Sequence, residues 1–342
     1  MVLAAHICGA PDATVYDGSC SSCGAALNPV PEHSPQWSSP LQPRSSIMAA
    51  QIHTLVSAKW LLDAIKKNHI GPKLRLLDAS WYLAKTKRDA RAEFVRTHIP
   101  GASFFDIDDC CDKNTELDHM LPTPERFSEY VEELGIGNET HVVVYDTHDV
   151  GAFSAPRVWW MFRLFGHNTV SVLDGGMKNW LHNKYPVTAE YTKPEPQKFK
   201  ASQNKSWVKN YEDILENIQT RKVQVVDARS AGRFRGTEPE PRDDVLPGHY
   251  PGAINIPFYS IFNQSGEVMP TEDLAKLYKE AGVDVQKPLW TSCGSGVTAC
   301  VIILGAHLLG HPGPCLYDGS WTEWFKRAPA EYIVSEGQDK SK

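Results

Sequence analysis

The chain has 342 residues and a formal net charge of −6. That length suits two domains with sizeable cores, and the charge balance excludes a broad basic surface for nucleic acid. Its longest apolar run, Val297 to Leu309, is interrupted by His307 and is too short to span a bilayer, so no membrane partner is expected.

The segment 1–49 holds six prolines, eight serines and a single Lys or Arg up to Ile47, with no apolar periodicity, and is expected to be a disordered extension. Within it, Cys20-Ser21-Ser22-Cys23 with His6 and Cys8 could form a zinc site, but the ligand spacing and the surrounding fold both support one weakly, so no metal is assigned. Only five of the eight cysteines lie beyond it. This is too sparse for a secreted disulfide framework, and no signal peptide is evident, so a reducing compartment is expected. Val56 to Lys67 follows as an amphipathic helix that either packs at a domain start or assists mitochondrial import.

From there one unit is written twice. Leu74 to Leu77 ends in Asp78-Ala79, as Val223 to Val226 ends in Asp227-Ala228. His98-Ile99-Pro100-Gly101-Ala102 matches His249-Tyr250-Pro251-Gly252-Ala253, a shared turn whose histidines read as packing groups. Val142 to Asp146 matches Leu289 to Cys293, each with a loop and an apolar helix after it, and Asp174-Gly175 and Asp318-Gly319 precede Trp180 and Trp324 at one interval. Strands alternating with helices predict α/β domains, each a mainly parallel sheet flanked by helices, with ligands beyond the carboxyl ends of the strands. The domains are expected at 50–190 and 205–335, joined by a linker at 191–204 within the proline-containing polar stretch Tyr185 to Ser206.

The copies differ where chemistry would sit. Cys293-Gly294-Ser295-Gly296-Val297-Thr298 lies between the strand-like run Pro288 to Ser292 and a helix over Ala299 to Leu309. A thiol above a helix N-terminus meets unpaired N–H groups and a positive dipole, which favour a thiolate. Gly294 and Gly296 allow several N–H groups to turn toward one anion. A cysteine in such a turn can also be a buried structural thiol, but the glycine pattern and the helix point to a nucleophile. The first copy has Asp146 at this place, so it is read as a support that closes one wall of an interdomain site. Cys300 reads as core, whereas Cys110, Cys111 and Cys315 read as exposed thiols able to form redox-sensitive disulfides.

In Gly232 to Arg242, glycines and prolines predict a structured loop with three arginines. From the segment alone, Arg233 and Arg242 fit a carboxylate clamp and surface ion pairs with Glu238, Glu240, Asp243 or Asp244 equally well.

Two tandem copies, a six-residue loop opened by cysteine and paired Asp-Gly-x-x-x-x-Trp segments resemble the tandem-domain rhodanese superfamily over about residues 53 to 335. Cys293 to Thr298 is similar to the loop of its 3-mercaptopyruvate sulfurtransferase branch rather than the thiosulfate branch, which has Arg and Lys at the second and third places. The resemblance implies that the first rhodanese-like domain is non-catalytic and that Cys293 carries sulfur as a covalent persulfide, with no cofactor. It further implies that sulfur from 3-mercaptopyruvate passes to thioredoxin, a small thiol or cyanide, with release of pyruvate and formation of hydrogen sulfide.

By the same resemblance, Arg233 and Arg242 bind the donor's carboxylate and carbonyl, while Gly294, Gly296, Val297 and Thr298 line the sulfur site. His119 with Asp108 would tune Ser295, which faces Cys293 in a proton relay. A location in cytosol or mitochondria, and a monomer or redox-dependent homodimer, are also implied. A fold-sharing phosphatase would need Cys-x5-Arg, but the sixth residue after Cys293 is Ala299. A non-enzymatic binding module would not need the retained cysteine.

Overall fold

The structure is a computed structural model that describes residues 53–337; the extension at 1–49, with Cys20 and Cys23, lies outside them. In the first half, strands β1 (Leu55–Val56), β2 (Leu74–Asp78), β3 (Ala102–Phe104), β4 (His141–Tyr145) and β5 (Val170–Leu173) alternate with helices α1 (Ala58–Lys66), α2 (Ala90–Arg96), α3 (Pro124–Glu133), α4 (Ala155–Leu164) and α5 (Gly176–His182). The second half repeats this with β6 (Val208–Lys209), β7 (Gln224–Asp227), β8 (Ile254–Asn255), β9 (Leu289–Ser292) and β10 (Cys315–Tyr317), and with α6 (Tyr211–Thr220), α7 (Ala231–Arg235), α8 (Thr271–Glu280), α9 (Ala299–Leu308) and α10 (Ser320–Arg327). The sheets have the same order, β1-β5-β4-β2-β3 and β6-β10-β9-β7-β8, and every pairing is parallel. Both domains are thus α/β, each a parallel sheet flanked by helices.

The expected first helix starts later than its pattern suggests. Leu55 and Val56 pair with Val172 and Leu173 in the sheet, and Ser57 then caps α1 by accepting from the Trp60 N–H at 3.1 Å. The stretch Tyr185 to Ser206 carries helix or strand only from Lys205, yet it is fastened down. Thr188 bridges to His98, Phe199 is buried, and the Asn204 N–H donates to the Leu164 carbonyl.

Both histidines of the repeated turn do pack. His98 lies 4.1 Å from Phe94 and His249 3.9 Å from Phe234, ring to ring, and each Nδ1 meets the carbonyl of that phenylalanine. Helix α9 is apolar from Ala299 to Ala306, and all of these residues are buried. It packs against α4, so one core runs from Val142 and Val144 of the first sheet to Leu289 and Leu316 of the second. Among the described residues, no helix is long and apolar enough to cross a membrane.

Candidate active site

Central strands β4 and β9 end at equivalent points, one before Asp146 and the other before Cys293. In the first domain the Asp146 carboxylate folds back under its loop. Its Oδ2 accepts the N–H groups of Phe153, Ser154 and Ala155 at 2.7, 2.9 and 2.8 Å. The loop geometry therefore holds an anion at this place.

In the second domain Cys293 takes the place of that carboxylate and is 2% exposed. Its loop is held by its carbonyls. The Cys293 carbonyl accepts from the Trp321 N–H at 3.0 Å, and the Gly294 carbonyl accepts from the N–H and Oγ1 of Thr322 at 3.0 and 2.7 Å. No protein acceptor is found among the described residues for the N–H groups of Gly294 through Thr298. The repeated Asp-Gly turn explains the tether. Ser320 adopts φ 52° and its Oγ accepts from the Cys293 N–H at 3.2 Å; at the matching place Gly176 adopts φ 51°, and the next residue, Met177, donates to the Asp146 carbonyl at 3.0 Å.

His119 and Asp108 come together as expected. His119 Nδ1 lies 2.8 Å from Asp108 Oδ1, off the axis of an aligned hydrogen bond, and the ring edge rests on Trp81 at 4.6 Å. The Trp81 Nε1–H holds the other Asp108 oxygen at 2.9 Å. Burial works to raise the Asp108 carboxyl, but His119, Trp81 and Lys113 outweigh it and hold it below the usual range. His119 is buried at φ 64°, and its Nε2 has no hydrogen-bond partner among the described residues. The expected link from His119 to Ser295 is therefore not made in this structure, although Ser295 is buried in the adjoining loop.

Arg233 and Arg242 both reach this loop. A Cβ built on Gly294 would stand 3.0 Å from Arg233 Nη2 and 3.9 Å from Arg242 Nη1, so glycine permits the approach. Arg233 forks onto buried Glu240 at 3.1 and 2.5 Å. Arg242 meets Asp118 of the first domain at 2.9 and 2.5 Å, and the Asp118 side chain is 54% exposed. A cleft of about 520 Å³ opens here, lined by Trp81, Asp108, Cys111, Asp118, His119 and Arg242.

A rhodanese-like domain model matches residues 57–183 and 210–327. The chain belongs to the rhodanese family. It is 53% identical to the 3-mercaptopyruvate sulfurtransferase of Homo sapiens over 287 residues, which covers 84% of this chain and 97% of that relative. It is 51% identical to the thiosulfate sulfurtransferase of Rattus norvegicus over 285 residues, 83% of this chain and 96% of that one. Among solved structures it is similar to SseA from Escherichia coli, a 3-mercaptopyruvate sulfotransferase, with TM-score 0.70 and 36% identity over 78% of this chain and 98% of that chain.

Sequence reading of this rhodanese missed two arginines. Arg229, fully buried, binds Asp227, Glu240 and the Gly248 carbonyl, and so fixes the carboxylate on which Arg233 rests. Arg157 lies in α4 of the first domain and reaches the second; an arginine within an apolar helix reads as its solvent face, so only the fold reveals it. The cysteine reading needs correction. Cys110 is 1% exposed, not a surface thiol, because it packs into the shared core, and burial raises its pKa strongly. Cys111 and Cys315 are partly exposed free thiols, and Cys300 is fully buried as expected.

Proposed function

We propose that this rhodanese takes the sulfur of 3-mercaptopyruvate onto Cys293 and passes it to a thiol. The Cys293 thiolate attacks the donor's sulfur, the carbon–sulfur bond breaks, and its electron pair leaves on the pyruvate enolate. The proton of the donor thiol ends on the enolate carbon. Pyruvate and a Cys293 persulfide result, with no outside oxidant or reductant. An acceptor thiolate then takes the outer sulfur and returns Cys293 as thiolate; with a dithiol such as thioredoxin, the second thiol expels hydrogen sulfide, and cyanide would give thiocyanate.

Groups around Cys293 support each requirement. The N–H groups of residues 294–298, which have no protein acceptor among the described residues, are available to stabilise charge that develops on sulfur, much as those of residues 153–155 bind Asp146. His119, whose Nε2 has no partner among the described residues and which has Asp108 behind it, serves to carry the proton from donor thiol to enolate; it makes no hydrogen bond to Ser295 in the free protein, so Ser295 joins the relay only with donor bound. Arg233 and Arg242 hold the donor's carboxylate and carbonyl. Arg242 can exchange half-exposed Asp118 for the donor's carboxylate without uncovering a buried charge.

The observation that carries the choice of donor is the uncharged Gly294-Ser295 pair beside Cys293, because identities of 53% and 51% do not separate the two activities. Thiosulfate is a compact dianion suited by cations inside the loop, whereas here the guanidinium groups of Arg233 and Arg242 approach it from outside at Gly294, which suits a donor whose carboxylate is held away from its sulfur. At equal concentrations of both donors, pyruvate release should exceed sulfite release by about tenfold or more. Sulfite release equal to or above it would overturn the assignment.

A further inference from the structure

The five residues after Cys293 carry no charge, yet one guanidinium lies beneath them. Arg157, third residue of α4, is 1% exposed. Its Nη1 stands 2.8 Å from Asp318 Oδ1 and donates to the Gly296 carbonyl at 3.3 Å, while Nη2 donates to the His119 carbonyl at 2.6 Å. A single planar group thus grips the catalytic loop, the turn that tethers it and the backbone of the proposed proton carrier.

We propose that Arg157 is a positioning residue for sulfur transfer: from the first domain it fixes the Cys293 loop and His119 in one arrangement and supplies a buried positive charge that favours an anion on Cys293. The proposal rests on Cys293 being the nucleophile.

Comparison of the two halves separates this role from simple packing. Both have the Asp-Gly turn, so an ion pair needed only for the fold would recur. It does not: the third residue of α9 is Val301, and Asp174, the counterpart of Asp318, accepts the Val268 N–H at 2.8 Å and forms no ion pair among the described residues. The cation stands only on the side that faces a cysteine. The other loop already holds its own anion, Asp146.

Charged and titratable groups around Cys293 include Arg157 from α4, Asp318 after β10, Cys300 in α9, Tyr250 before β8, and Arg233 and Arg242 above Gly294. Burial works against the charge on Arg157, but Asp318, Cys300 and Cys293 together hold its proton more firmly than usual. Asp318 offsets part of the field, so the effect on Cys293 is the difference between two nearby charges.

The test follows alkylation of Cys293 by iodoacetamide against pH, read by mass spectrometry on the Cys293 peptide, together with kcat and KM for 3-mercaptopyruvate, in the parent protein, Arg157→Lys and Arg157→Gln. Alkylation needs no sulfur donor, so it reports on Arg157 whichever donor the enzyme uses. Arg157→Gln should move the alkylation midpoint up by about one pH unit. Arg157→Lys should keep the midpoint but lower kcat about tenfold at unchanged KM, because an ammonium cannot span three acceptors in one plane. A parent-like midpoint in Arg157→Gln, or a parent-like kcat in Arg157→Lys, would overturn the proposal. If Arg157→Gln does not fold, the lysine variant decides alone: a kcat lowered about tenfold at unchanged KM supports the proposal, and a parent-like kcat overturns it.

Discussion

Arg242 is the residue at which the donor assignment is most exposed to test. Its fork is satisfied by Asp118 in the free protein, and that contact is half in solvent, where an ion pair contributes at most about 1 kcal/mol. A bound carboxylate can therefore displace it at small cost. Arg242→Ala should raise KM for 3-mercaptopyruvate about tenfold or more and leave thiosulfate turnover nearly unchanged. Steady-state kinetics with both donors checks this, and equal losses would show that Arg242 does not clamp a carboxylate. Arg233 is less free to respond, because buried Glu240, itself held by Arg229, grips its guanidinium. Burial works to raise the Glu240 carboxyl, but Arg229 and Arg233 outweigh it and keep it below the usual range.

At the scale of elements, the unit that matters is β9, the six-residue loop and α9. Its two glycines are glycines for different reasons. Gly296 has φ +79°, and a Cβ there would lie 2.9 Å from the Asp318 carbonyl oxygen, which belongs to backbone and cannot give way. A Cβ on Gly294 would face only the flexible tips of Arg233 at 3.0 Å and Arg242 at 3.9 Å. Gly296→Ala should therefore cost about 1–3 kcal/mol of stability and most of kcat, whereas Gly294→Ala should unfold near the parent's midpoint and mainly raise KM. Denaturant melts with kinetics distinguish the two, and the reverse pattern would contradict the loop geometry described above.

This unit was legible in the sequence because an apolar run, Cys-Gly-x-Gly and a second apolar run each state a local preference. The two-residue strands β1 and β6 were not. A strand that short has no period to read, and register with β5 and β10 alone makes it a strand. Arg157 was illegible for a related reason, since its meaning lies in Asp318, Gly296 and His119, which only the fold brings to it.

Over the whole molecule, the two domains are joined by reciprocal contacts. Asp318 of the second accepts the Leu121 N–H of the first at 2.8 Å, and Asp174 of the first accepts the Val268 N–H of the second at 2.8 Å. Only Asp318 has an arginine. Burial pushes the Asp174 carboxyl up to about 6, with Glu267 adding to it. An unfolded aspartate titrates near pH 3.9, so between about pH 4 and 6 the folded chain binds a proton that the unfolded chain does not. Stability from this group is present at low pH and lost as pH rises through that window. Asp174→Asn keeps an acceptor for Val268 and sheds the charge, so it should stabilise the protein at pH 7 by about 1–2 kcal/mol and have little effect at pH 4. Urea midpoints at the two pH values check this, and a variant weaker at pH 7 than its parent would contradict it.

The seam also ties the segment that carries His119 and Leu121 in the first domain to the Asp318–Ser320 turn that tethers Cys293 in the second, so the proposed turnover belongs to the pair. The most direct measurement is to mix the protein with one equivalent of 3-mercaptopyruvate, without acceptor, and to quantify pyruvate while weighing the Cys293 peptide, with Cys293→Ser as control. The expected result is one pyruvate per chain, a gain of one sulfur atom on that peptide, and neither in the control. Pyruvate formed without added mass on the Cys293 peptide, or formed equally by Cys293→Ser, would contradict the central claim.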